Sequence, residues 1–158
     1  MKYYSKPKKD KIIYLIFFII FFLKANSYSE EIIGYAKVID GDTIIIKRNK
    51  IRLYGIDAPE NNQICTKPWL SLNMITFNKD YDCGLKTTSL LKKFVKNEIL
   101  VCKKKSVDRY NRVVAICFKK RRDISSWLVR NGLAVAYTKY SKKYMISEND
   151  AKKEKKGL

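Results

Sequence analysis

Two short runs rich in β-branched and aromatic residues, Thr43-Ile44-Ile45-Ile46-Lys47 and Ile51-Arg52-Leu53-Tyr54, flank the polar break Arg48-Asn49-Lys50. This pattern predicts two antiparallel strands joined by a tight turn. With the reversal centred on Asn49-Lys50, paired positions sum to about 99, and Asp42 faces Asp57. Residues 98–103 and 112–117 read as a second strand pair reversing near Asp108-Arg109-Tyr110, which makes Cys102 and Cys117 approximate cross-strand partners. Helical spacing recurs at Leu91, Phe94 and Val95, with Leu85 and Leu90 nearby and Lys86, Lys92 and Lys93 on the exposed face. A second helix begins at Asp123 as its N-cap, buries Ile124, Trp127 and Leu128, and stops at Asn131-Gly132. A short extended link over residues 133–137 precedes a charged final helix over 144–156.

Five strands are thus expected, at 32–39, 42–48, 51–56, 99–105 and 110–118, with one helix between the third and fourth. That order predicts a mainly β fold with helices: a five-stranded closed barrel of the OB-fold type carrying three α-helices. The segment 63–82 shows little periodicity and is assigned no element.

The N-terminus has a different character. Residues 1–11 hold five lysines against one aspartate, residues 12–23 are uninterruptedly apolar, and small residues follow at Ala25 and Ser27. These features predict a signal peptide over residues 1–27 and a single mature domain over 28–158. An uncleaved membrane anchor is the alternative, although 12–23 is shorter than the roughly 20 residues a span requires. Either way the protein leaves the cytosol, as secreted, periplasmic or membrane-anchored. Loss of the leader lowers the net charge from +19 to about +14, which points to a polyanionic partner, either nucleic acid or an acidic envelope surface. Cys65, Cys83, Cys102 and Cys117 all lie in the mature part and predict two disulfides, Cys102 with Cys117 and Cys65 with Cys83. A four-thiolate zinc site is the competing reading, without Cys-x-x-Cys spacing to support it.

Candidate chemistry concentrates in residues 38–60, where Asp40, Asp42, Asp57 and Glu60 occur with Arg52. Carboxylates brought together raise one another's pKa unless a positive charge separates them. Hard oxygen donors favour calcium or magnesium, and irregular loops favour calcium. The chain contains no histidine, which excludes Ser-His-Asp hydrolysis and histidine-ligated metals.

The segments IDGDT (39–43), RLYGIDAPE (52–60), DRYNR (108–112) and LVRNGLAVAY (128–137) occur in that order, and with them residues 34–158 resemble the thermonuclease family of staphylococcal-nuclease-like domains. The resemblance implies that Asp42, Asp57 and the backbone carbonyl of Ala58 hold Ca2+, with Asp40 behind them accepting from metal-bound water. Glu60 would orient or deprotonate the attacking water, while Arg52 and Arg112 grip the phosphate. Arg109 and Tyr110 would meet a terminal or flanking phosphate, and Tyr137 would line the nucleotide pocket. Tyr140 joins it with a spacing that differs by a residue. Asn111 stands where the family has glycine, Ala58 where it often has threonine, and the cysteines are a further departure. An ion pair with Asp108 is the competing role for Arg112.

The expectation is an exported, calcium-dependent, sugar-nonspecific nuclease acting on DNA and RNA as a monomer with no obligate protein partner. A binding module on the same barrel that does not cut, and an adhesion protein held by envelope charge, are the alternatives.

Overall fold

The computed structural model describes Tyr14, residues 30–72 and residues 75–157. Apart from Tyr14, the proposed leader at residues 1–27 lies outside the described residues. The elements run β1 (Glu31–Val38), β2 (Thr43–Ile46), β3 (Asn49–Leu53), β4 (Ile56–Asp57), β5 (Cys65–Leu72) and β6 (Ile75–Tyr81), followed by α1 (Cys83–Val95). After these come β7 (Ile99–Val107), β8 (Val113–Lys119), β9 (Arg122–Asp123), α2 (Ile124–Arg130), β10 (Val135–Ala136) and α3 (Met145–Lys153).

The main sheet is ordered β3-β2-β1-β7-β8-β9, and a parallel pairing of β3 with β8 closes its first five strands into a barrel. The fold is the expected mainly β, OB-like barrel with three helices. Alternation fills it: β3 buries Ile51 and Leu53 while Arg52 between them points the other way, and β2 buries Ile44 and Ile46. Leu91 and Val95 of α1, and Ile124, Leu128 and Val129 of α2, complete the core. Each fully buried aliphatic side chain contributes about 1.5–3 kcal/mol.

The register of the first hairpin differs from the sequence expectation. Observed pairs run from Ile46 with Asn49 to Thr43 with Arg52, a sum of 95, so the reversal falls at Lys47-Arg48. Lys47 takes the left-handed conformation such a turn requires, at φ 56°. Asn49 and Lys50 belong to β3, where their polarity marks an exposed strand end and not a reversal. Asp42 therefore does not face Asp57; across the hairpin its carbonyl accepts from Leu53 N–H at 2.8 Å. The third expected strand also breaks: Gly55, at φ 72°, turns the chain into β4, which pairs with β10 in the segment read as a plain link.

Residues 63–82, assigned no element from sequence, contain the β5–β6 hairpin, whose register shifts between Pro68 and Leu70. The described side chains of both strands are nearly all exposed, so no buried face imposes an alternation, which is why the pattern failed there. Both predicted disulfides are present. Cys65 joins Cys83 at the base of this hairpin, and Cys102 joins Cys117 directly across β7 and β8. All four thiols are thereby used, which removes the zinc alternative.

Helix boundaries follow their capping chemistry. The Asp123 side chain accepts from Ser126 N–H at 3.2 Å to start α2, and Gly132 at φ 63° ends it. Trp127 is only partly buried, packing on the core edge and stacking on Phe94 at 3.9 Å. The last helix is shorter than expected; its N-cap Tyr144 is buried and donates to Asp123 at 3.0 Å, tying α3 to α2. Among the described residues, no helix is long and apolar enough to cross a membrane.

The Cys102–Cys117 bond closes a loop of about 15 residues, so a C102A/C117A variant should lose about 3 kcal/mol in urea denaturation.

Candidate active site

Arg52 is the centre of the acidic cluster. Its Nη1 lies 2.6 Å from Asp42 Oδ2 and its Nη2 2.9 Å from Asp57 Oδ1, so one guanidinium joins the two carboxylates that strand register alone would not. Local folding explains the convergence. Asp42 immediately precedes β2, Arg52 pairs with Thr43 on β3, and the turn at Gly55 swings Asp57 back alongside.

Asp42 is the buried member, at 6% exposure, and Thr43 Oγ1 donates to its Oδ1 at 2.9 Å. Asp40 Oδ1 accepts from the backbone N–H of Asp42 at 3.0 Å, closing the tight turn in front of β2. Burial pushes the Asp42 carboxyl up to about 6; Arg52 opposes the shift, and Asp40 and Asp57 add to it. Arg52 responds in kind: despite burial, Asp42 and Asp57 hold its guanidinium above its usual range.

Glu60 sits on an exposed loop whose backbone is clamped from both sides. A Cβ on Gly84, in the first turn of α1, would stand 1.7 Å from the Glu60 carbonyl oxygen, so only glycine lets the helix approach. Gly41 serves the same end on the other side, where a Cβ would meet that of Ala58 at 2.7 Å. Asn61 Nδ2 donates to the Ile39 carbonyl at 3.0 Å and its Oδ1 accepts from Thr88 at 2.6 Å, while Glu60 N–H donates to Gln63 Oε1 at 3.2 Å. Sequence reading singled out Gly41 for the turn beside the cluster but missed Gly84, Asn61, Gln63 and Thr88 as positioning residues. Gly84 next to a cysteine at a helix start was the one available signal.

Arg112 lies just before β8. Because Arg52 pairs with Val114 in the parallel β3–β8 ladder, alternation carries Arg112 to the face of Arg52, two residues or about 7 Å along. Its Nε donates to Asp108 Oδ2 at 2.7 Å, so the ion pair with Asp108 is present. Asp108 Oδ1 also accepts from the N–H groups of Tyr110 and Arg112, both at 2.9 Å, and despite some burial these bonds hold its carboxyl below the usual range. Asn111 takes the left-handed backbone expected of it, at φ 59°. The exposed Tyr110 ring lies 4.9 Å from the Arg109 guanidinium and 5.4 Å from that of Arg112. Tyr137 N–H donates to the Gly55 carbonyl at 3.0 Å, and its ring lies 4.9 Å from that of Tyr140. Among the described residues, no hydrogen bond or ion pair links Glu60, or the turn at 109–112, to the Asp42–Arg52–Asp57 trio.

Among the described residues, no three acidic or cysteine side chains stand close enough to form a metal cluster. The donor chemistry nevertheless suits a hard cation: Asp42 and Asp57 flank one guanidinium, Asp40 closes the adjoining turn, and the Asp42 carboxyl, raised chiefly by burial, is a hard oxygen donor whose charged form a cation would favour.

The family model for staphylococcal nuclease homologues matches residues 50–158. The chain belongs to that family. It is 38% identical over 109 residues to the succinoglycan biosynthesis protein ExoI of Rhizobium meliloti (strain 1021), covering 68% of this chain and 53% of the relative. It is 33% identical over 120 residues to the probable endonuclease LCL3 of Komagataella phaffii, covering 68% and 47%. An uncharacterized endonuclease of Haemophilus influenzae matches at 30% over 124 residues, covering 75% and 60%. The chain thus spans about half the length of the curated relatives it matches.

A carboxyl raised in the folded state binds its proton more tightly folded than unfolded, so ionising Asp42 removes stability as pH rises from about 4 to about 6. In chelator, the wild type should lose roughly 3 kcal/mol relative to D42N across that window, measured by urea denaturation at each pH.

Proposed function

We propose that this protein is an exported, calcium-dependent, sugar-nonspecific nuclease that hydrolyses phosphodiester bonds in DNA and RNA. The observation that supports this best is the Asp42–Arg52–Asp57 arrangement, a guanidinium held between two carboxylates of which one is buried and raised by that burial. Membership of a nuclease family, with relatives named as endonucleases, supports the reaction class. Two disulfides suggest an oxidising compartment outside the cytosol, and residues 1–27 would be the signal peptide that delivers domain 28–158 there as a monomer.

Asp42, Asp57 and the Ala58 carbonyl would hold Ca2+, which supplies charge to polarise the phosphoryl group. Asp40 stands behind them to accept from water. Arg52, with both ends of its fork on carboxylates, exchanges a carboxylate for a phosphate oxygen as substrate enters. Arg112 is tethered by its Nε, so its two terminal nitrogens remain for two phosphate oxygens from the opposite side. Negative charge gathering on the phosphoryl oxygens thus meets two fixed guanidinium groups. Glu60, on its clamped loop, takes the proton of the attacking water or orients it. Arg109 and Tyr110 meet a flanking phosphate, Tyr137 and Tyr140 line the nucleotide pocket, and by resemblance the product keeps a 3'-phosphate. Holding phosphate and sugar instead of base edges leaves sequence and sugar type unread.

The oxidised domain, residues 28–158, incubated with single-stranded and duplex DNA, should cut in calcium and stop in chelator. E60Q, R112A and the charge-conserving R52K should each lower kcat by about 100-fold or more with circular dichroism unchanged. Near-normal activity in both E60Q and R112A overturns the site. Tight binding without cleavage under calcium or magnesium would instead identify a binding module that does not cut.

A further inference from the structure

A cavity of about 610 Å3, lined by Phe94, Glu98, Lys119, Lys120, Arg121 and Arg122, opens at the end of β8 opposite to Arg112. Seven residues separate Arg112 from Lys119, which at roughly 3.3 Å each puts the cavity about 23 Å along the strand from the candidate active site.

Four consecutive cations on one reversal repel one another, and the turn, with Lys120 at φ 56°, holds them together regardless. Lys119 is committed internally: its Nζ donates to the Phe94 carbonyl at the end of α1 at 2.7 Å and lies 3.4 Å from Glu98. Lys120 shares the same Glu98 at 3.5 Å. Among the described residues, Arg121 and Arg122 join no ion pair, so four positive charges on this wall meet one negative. The Phe94 ring, stacked on Trp127 with 3° between the planes, carries Lys119 at 4.8 Å on its face and Arg122 at 6.0 Å. That rigid plate keeps the long side chains extended around the opening.

We infer that this cavity is a second anion site, which binds the phosphodiester backbone of a nucleic-acid strand at a distance from the point of cleavage. Arginine forks match phosphate oxygens, and the surplus charge is what a polyanion neutralises. Seven is an odd offset, so alternation turns Lys119 away from the face of Arg112. A strand touching both sites must bend around the barrel and span more than the roughly seven nucleotides that about 23 Å represents; a polymer does this and a lone phosphate cannot. The inference takes its polymer from the nucleic-acid reading above but does not depend on cleavage.

The test measures binding by the full chain, in chelator, of labelled 20-nucleotide and 3-nucleotide DNA at a series of salt concentrations. Wild type is compared with R121A/R122A and with K152A/K155A, which has the same net charge. The cavity variant should bind the 20-mer about 10-fold more weakly, with a salt slope smaller by about 1–2, and bind the 3-mer as the wild type does. Unchanged 20-mer binding, or an equal loss in K152A/K155A, overturns the inference. So does a variant that keeps DNA binding but loses sedimentation with phosphatidylglycerol vesicles, which would assign the cavity to lipid phosphate. Because cleavage is never read, a protein that fails to cut can still pass or fail this test.

Discussion

One guanidinium, that of Arg52, holds the acidic end of the barrel together. Asp40, Asp42 and Asp57 come from a turn and a short strand that share no backbone pairing with each other, and without a cation between them Asp42 and Asp57 would repel. Arg52 lies on the outward face of β3 because Ile51 and Leu53 on either side fill the barrel. Core packing therefore aims the side chain on which the site is built. The compensation is incomplete, since burial still leaves the Asp42 carboxyl raised to about 6. A folded protein that retains such a deficit is less stable than it could be, as is common where stability has been traded for chemistry.

The barrel and its helices were legible because their signals are periodic or rest on capping. Ile44, Ile46, Ile51 and Leu53 alternate, Leu91 and Val95 repeat at helical spacing, and Asp123 and Gly132 bracket α2 through the side-chain and backbone chemistry expected of them. The Cys102–Cys117 disulfide followed from strand register, since those residues do lie opposite each other, and Cys65–Cys83 followed as the pair that remained. Less legible was anything that depended on where a chain reverses. Asn49 and Lys50 look like a turn, yet lysine at 47 takes the left-handed position, a cost no propensity scale anticipates. The pairing of Asp42 with Asp57 was consequently right about proximity and wrong about its cause, which is a side chain and not a ladder.

Glu60 shows a different kind of illegibility. Its carboxylate is an obvious candidate from Asp-Ala-Pro-Glu, but the loop's shape is set by what presses on it: α1 through Gly84, and the turn before β2 through Gly41. Those are contacts between segments 24 and 17 residues away in sequence. The Cys65–Cys83 bond then fixes the β5–β6 hairpin to the start of the same helix. Helix, loop and hairpin are thereby tied together at the start of α1.

Closure of the barrel rests on β3 and β8, whose first partners, Ile51 and Val113, are 62 residues apart. Parallel strands so distant must pay for a long loop before any pairing returns energy, which slows folding. Until β8 is available, β3, β2, β1 and β7 form at most a four-stranded open sheet with β3 as a bare edge. A chain emerging N-terminus first from synthesis therefore has an incomplete barrel open to pairing with its neighbours until β8 arrives, and a charged residue such as the exposed Lys50 on the β3 edge opposes that pairing.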